Sequence, residues 1–254
     1  MGRNVKNGFL IIMNQFVYSA VFLGLIVLSG CSFYEYGSPD EVVKEVRINF
    51  EVKPDMEIYL KAIPGELIIR GVKGNEAVAS MEARCPDPAG KCAEYFEDLE
   101  FETRLKDNRL TVKPNKGLGF KGNRAVKTIL SIPAVNSLNV KMKAGETKIS
   151  GINVSKLYLD MTAGEVYINV ENLKTSLNVD LGAGDVNITI PEDSVREVDV
   201  DAGIGDASIR RNGRVENAPR SFLLGAETQQ FISNEGAVVW VDVNVGNIQV
   251  NLTK

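Results

Sequence analysis

Carboxylates at fixed offsets from recurring glycines are the residues of this chain with the widest chemical options. Glu66, Glu146, Glu165, Asp185, Asp206 and Asn247 each follow a glycine directly. Asp160, Asp180, Asp201 and Asp242 precede one by four residues, and Lys61 and Lys141 take that place in the two remaining copies. Rows of oxygen ligands suit calcium, and Asp185 and Asp206 are the candidate ligands. The same carboxylates could act, with calcium, on an acidic polysaccharide, or simply stand in solvent. The Gly- and Asp-dense repeat of coils that bind calcium is missing, so solvated corners are the expectation, with no metal.

Other chemistry is excluded more firmly. The chain has no histidine, which removes His-based triads, the commonest general base and His-ligated zinc or iron. Neither GxSxG nor a Walker A motif occurs. Gly117-Leu118-Gly119-Phe120-Lys121-Gly122 matches GxGxxG, but that motif needs a helix behind it to aim at a phosphate. Ala125 to Ile132 reads instead as a strand, so the glycines belong to a loop. No catalytic residue and no cofactor are expected.

Cys85 and Cys92 bracket Pro-Asp-Pro-Ala-Gly-Lys. Six intervening residues fit neither a CxxC redox motif nor a zinc knuckle. Outside the cytoplasm such a pair is most simply a disulfide; free thiols are the alternative.

The elements that hold these residues show themselves as a repeat. Gly145, Gly164, Gly184, Gly205 and Gly246 are spaced by 19, 20, 21 and 41 residues, with a sixth copy at Gly65. Seven residues before the glycine stand Ile58, Leu138, Leu157, Leu177, Val198 and Val239; five before stand Leu60, Val140, Leu159, Val179, Val200 and Val241. Three before come Ala62, Met142, Met161, Leu181, Ala202 and Val243. Two after come Leu67, Thr147, Val166, Val186, Ala207 and Ile248, and four after come Ile69, Ile149, Ile168, Ile188, Ile209 and Val250. Only Thr147 interrupts this apolar grid. Spacing by two marks strands with one face in a core. The switch from odd to even offsets across the glycine marks a corner with both flanking strands facing inward. A period near twenty residues is one coil of a stack. The fold expected is therefore all-β, a single-domain β-solenoid of stacked parallel coils, with a meander of Gly-tipped hairpins as the competing topology. Neighbouring coils lie about 4.8 Å apart, so carboxylates stacked at one offset repel.

The N-terminus carries Arg3 and Lys6, then the apolar run Phe16–Leu28, then Leu28-Ser29-Gly30-Cys31. The run fits a signal-peptide core and is short for a membrane span. Leu-Ser-Gly-Cys resembles the lipobox of bacterial lipoproteins. That resemblance implies cleavage before Cys31, diacylation of its thiol and, through Ser32, delivery to the outer membrane where the organism has one. A signal-anchor helix is the alternative. Residues 1–30 are then the signal peptide, 31–44 the lipidated cysteine and tether, and 45–254 the solenoid, irregular over 75–128 and regular over 129–254. Loss of Arg3 and Lys6 with residues 1–30 takes the formal charge from −4 to −6, which argues against nucleic acid as a partner.

The stretch Ile129-Leu130-Ser131-Ile132-Pro133, Leu138-Asn139-Val140 and Ala144-Gly145-Glu146-Thr147-Lys148-Ile149-Ser150-Gly151 resembles the DUF4097 group of putative adhesins, the toast-rack β-solenoids. Pro64-Gly65-Glu66-Leu67-Ile68-Ile69-Arg70-Gly71 is similar to that family's opening coil. The resemblance runs over about residues 45–254. It implies a non-enzymatic, lipid-anchored envelope protein that presents a surface to an envelope protein or a glycan. A regulatory or sensor lipoprotein and a polysaccharide-active enzyme are the other classes consistent with the chain.

Overall fold

The computed structural model describes residues 41–86, 94, 96–116, 125–211, 214–217 and 225–254. The chain divides into two compact units, Met1–Tyr34 and Glu35–Lys254, and the described residues all lie in the second. Their strands are β1 (Glu41–Glu51), β2 (Glu57–Lys61), β3 (Gly65–Gly71), β4 (Glu76–Pro86), β5 (Phe101–Lys106), β6 (Arg109–Pro114), β7 (Ala125–Ile132) and β8 (Val135–Ser150). There follow β9 (Asn153–Asn169), β10 (Asn172–Pro191), β11 (Val195–Ile204), β12 (Ala207–Arg211), β13 (Arg214–Asn217), β14 (Ala226–Phe231), β15 (Ala237–Val245) and β16 (Ile248–Thr253). All belong to one hydrogen-bonded sheet, folded along the glycine corners into two walls.

Each repeat is one coil, and the coils pair in parallel, which disposes of the hairpin alternative. β8 pairs with β9 and β9 with β10, glycine on glycine: Gly145 faces Gly164, and Gly164 faces Gly184. β2 and β3 pair with the two halves of β8 in the same register, Leu60 on Val140 and Gly65 on Gly145. The apolar grid is the core. Every one of its cells is buried except Ala62, which is half-buried. Thr147 is fully buried too, and its hydroxyl donates to Met161 Sδ at 3.2 Å.

The corner must be glycine for two reasons. The six corner glycines have φ between 133° and 148°, a region that side chains avoid. A Cβ on Gly164 would also stand 1.8 Å from the carbonyl oxygen of Gly145, and one on Gly184 would stand 1.7 Å from that of Gly164. The backbone of one coil occupies the space where the next coil's side chain would be.

Two features depart from a sequential stack of the regular repeats. The last coil, β15–β16, is inserted between β10 and β11–β12: Val241 lies between Val179 and Val200, and Val250 between Ile188 and Ile209. The order of corners along the stack is therefore Gly65, Gly145, Gly164, Gly184, Gly246, Gly205. Second, the segment 75–128, expected to be irregular, contributes a further coil. β6 runs parallel to β2 with Leu110 on Ile58 and Val112 on Leu60, and β7 runs parallel to β3 with Leu130 on Ile69. At the corner register of this coil Val126, not a glycine, stands against Gly65, and residues 117–124 lie outside the described residues.

Antiparallel strands close both ends. β5 pairs with β6, and β4 and β1 continue the wall beyond β7; at the far end β14 pairs with β11 and β13 with β12. Repeat stacks need such caps because their end coils would otherwise expose core. On the outermost strand β5, Glu102, Arg104 and Lys106 are exposed, and charges of this kind hinder pairing with another chain's edge.

Candidate binding face

The strands before the corners form the first wall, whose outward side chains line up in three rows. The central row alternates rings and amides as far as Trp240 and then ends on a carboxylate. In stack order it reads Tyr59, Asn139, Tyr158, Asn178, Trp240 and Asp199, each residue facing the next across a rung. Trp240, the sole tryptophan, is 55% exposed and Tyr158 38% exposed, while Tyr59 is half-buried. One flanking row is Glu57, Ser137, Lys156, Ser176, Val238 and Glu197, ending against the exposed Phe231 of β14. A shallow depression runs along the face between these rows, lined by Ser137, Asn139, Lys156, Tyr158, Ser176 and Asn178.

The other flanking row carries the charge. Lys61 and Lys141 come first, then Asp160, Asp180, Asp242, Asp201 and Glu227 on successive strands. Asp160 is not merely repelled, because Lys141 Nζ contacts its Oδ2 at 2.5 Å. That hydrogen bond, then the charge of Asp160, pushes the Lys141 pKa up. Deeper in the row no lysine intervenes. Partial burial, then Asp201 and Asp180, raise the Asp242 carboxyl above the usual range. Partial burial, then Glu197 and Asp201, do the same for Asp199. Partial burial, followed by Asp160 and Asp180, raises the Tyr158 phenol.

The post-corner acids lie on the second wall, and the expected repulsion among them is offset by their neighbours. Glu66 pairs with Lys127 at 3.1 Å and Lys148 at 3.7 Å, and Lys148 also reaches Glu146 at 2.8 Å. Tyr167 donates its hydroxyl to Glu165 at 2.8 Å. The two calcium candidates are not on adjacent coils, since the inserted coil puts Asn247 between them. Asn247 donates both its backbone N–H and its Nδ2 to Asp185 Oδ1 at 2.9 Å, and its Oδ1 accepts from the Asp206 N–H at 3.2 Å. An amide thus bridges two carboxylate residues that sequence order makes neighbours. Among the described residues, no group of three or more Cys, Asp or Glu could hold a metal ion.

Other expected sites fall elsewhere. Cys31 and the glycine-rich loop 117–122 lie outside the described residues. Cys85 is buried near the end of β4, and Cys92 lies outside them. The ring-and-amide row of the first wall was not anticipated. Its signal was present in the outward cells, but only part of the row is in stack order in the sequence.

This architecture is matched by a family model, Toastrack DUF4097, over residues 102–251. The chain belongs to that family. The Toastrack match begins in β5 and leaves out β2 and β3, although that coil stacks in register with β8. Among solved structures, a putative cell adhesion protein from Clostridium sporogenes superposes with a TM-score of 0.54 at 18% identity, over 82% of this chain and 99% of that one. A putative adhesin from Bacteroides fragilis aligns over 82% of this chain and 97% of its own, at 13% identity and a TM-score of 0.35. The first of these supports the Toastrack fold and nothing finer. No curated protein matches the chain.

Proposed function

We propose that the protein is a non-enzymatic cell-envelope protein, held by lipid on Cys31, whose solenoid presents a surface for another molecule. The observation that carries this reading is the outward face of the first wall: a flat, regular array in which Tyr158 and Trp240 stay accessible beside a shallow depression. Trp is highly buried on average and Tyr intermediate, so two accessible rings on one face support an interaction surface. The name of the Clostridium sporogenes protein is in keeping with it. The Leu-Ser-Gly-Cys motif supports the anchor, since two or more acyl chains bind a bilayer stably. Ser32 favours the outer membrane where there is one, and Cys85 pairs with Cys92.

Fractionation of the full chain tests the anchor. The wild type should sediment with membranes and carry an acylated N-terminal Cys31, whereas Cys31→Ser should leave the membrane pellet. If both forms stay in the pellet unprocessed, the segment is a signal anchor and the lipid reading fails. The mass spectrum of the same non-reduced protein reads the Cys85–Cys92 pairing.

A further inference from the structure

The central row of the first wall has a period that the fold itself sets. Tyr59, Tyr158 and Trp240 occupy every second coil, with Asn139 and Asn178 on the coils between them. At about 4.8 Å per coil, the rings recur every 10 Å or so. The face between them carries Lys156, with Glu57 beside Tyr59, and one flank begins with Lys61 and Lys141 and continues as the carboxylate row Asp160, Asp180, Asp242 and Asp201.

We propose that this row is a binding track for an extended, neutral β-1,4-linked glycan laid along the stack axis, with the three rings contacting every second sugar. The proposal rests on the reading of the solenoid as a presented binding surface and names the ligand class of that surface.

Three observations support it. In a β-1,4-linked chain successive pyranoses flip, so the same ring face recurs every two sugars, and each sugar advances about as far as one coil. Equatorial hydroxyls leave the faces of such sugars rich in C–H, which pack on Tyr and Trp rings while the ring edges stay wet. The period argues against an extended peptide, whose side chains on one face recur about every 7 Å.

The second observation is the polar complement. Asn178 stands between the Tyr158 and Trp240 coils, where the intervening sugar would present its hydroxyls. Asn139 donates to Glu57 Oε1 at 2.6 Å and to Ser137 Oγ at 3.1 Å, which holds the amide in place and leaves its Oδ1 to accept. Carboxylates along the flank accept hydroxyl protons. The third is charge: past Lys141 the same row carries four successive carboxylates, which repel polyanions and favour an uncharged chain over uronate polymers and nucleic acids.

The test is calorimetric titration of the soluble Cys31→Ser form with oligosaccharides of two, four and six sugars. The probes are β-1,4-linked glucose and β-1,4-linked N-acetylglucosamine, with α-1,4-linked glucose as the comparator. Affinity for at least one β-linked series should step up from two to four to six sugars, as one, two and three rings are engaged. The two β-linked series distinguish plain from N-acetylated chains. Trp240→Ala and Tyr158→Leu should each weaken hexasaccharide binding about tenfold at unchanged melting temperature. Both side chains face outward, and leucine keeps bulk at Tyr158 should alanine there unsettle the strand.

No binding of either β-linked hexasaccharide at millimolar concentration would overturn the proposal. So would equal binding of the α-linked chain, or variants that bind as the wild type does. Anchoring through Cys31 is measured separately, so a negative titration removes the glycan and leaves the anchored-surface reading standing. Binding of a basic protein partner with no glycan binding would reassign the face.

Discussion

Replacing Gly184 by alanine probes the physical basis of the whole stack. Gly184 has φ 133°, and a Cβ there would sit 1.7 Å from the Gly164 carbonyl oxygen. Backbone strain for a side chain at such a φ costs about 1–3 kcal/mol. The overlap is with backbone rather than a mobile side chain, so the coils must part at the corner. Parting them loosens two or three rung hydrogen bonds, each worth about 1 kcal/mol net. The sum is roughly 3–6 kcal/mol, a large fraction of the 5–15 kcal/mol that holds a typical domain together. At about 2–4 °C per kcal/mol for a protein of this size, the melting temperature should fall by at least about 6 °C. Gly151→Ala is the control. Its φ is 60° and nothing lies within 4 Å of a Cβ built there, so only the left-handed penalty of about 1–2 kcal/mol applies. Urea and thermal unfolding of both variants, followed by circular dichroism, measure the difference. If Gly184→Ala is no less stable than Gly151→Ala, close backbone approach does not dictate the corner and the argument fails.

Three further outcomes follow from the charge rows. The Asp242 carboxyl has its pKa raised in the fold by partial burial and by Asp201 and Asp180. The folded state therefore holds a proton that the unfolded chain loses, and stability falls as pH rises from the unfolded value through the raised one. Asp242→Asn should be more stable than wild type at pH 7 by about 0.5 kcal/mol, the usual size of a like-charge pair on a sheet. That advantage should vanish once the pH drops below the normal aspartate range; a difference that stays constant down to pH 3 would rule out the electrostatic cause. On the second wall, Asn247→Asp should cost about 1 kcal/mol, read by urea unfolding, because it removes the side-chain donor to Asp185 and sets three carboxylates on consecutive coils. Millimolar calcium should leave the wild-type melting temperature unchanged. A calcium-dependent rise that disappears in the double variant Asp185→Asn, Asp206→Asn would reinstate a metal site.

Spacing alone determined what happens within a coil. The inward cells from Ile58 to Val250 and the glycine at each corner follow from the two-residue period of a strand and from the steric freedom that only glycine has. The same period placed the acids outward. It could not show that Lys141 neutralises Asp160, or that Asn247 bridges Asp185 and Asp206. The order of the coils was decided by tertiary structure. Each coil offers its neighbour the same hydrogen-bonding ladder and the same apolar cells, so local pattern says little about which coil lies beside which. The 41-residue spacing from Gly205 to Gly246 takes in β13 and β14, which cap the stack and let the last coil return between β10 and β11. The coil of β6 and β7 escaped the pattern for a related reason. Its inward residues, Leu110, Val112 and Leu130, keep the period, but Val126 stands against Gly65 where a glycine would have marked the corner. The ring-and-amide row shares this divided origin. Each side chain's outward direction is local, whereas the alternation Tyr158, Asn178, Trp240 exists only because the final coil inserts next to β10.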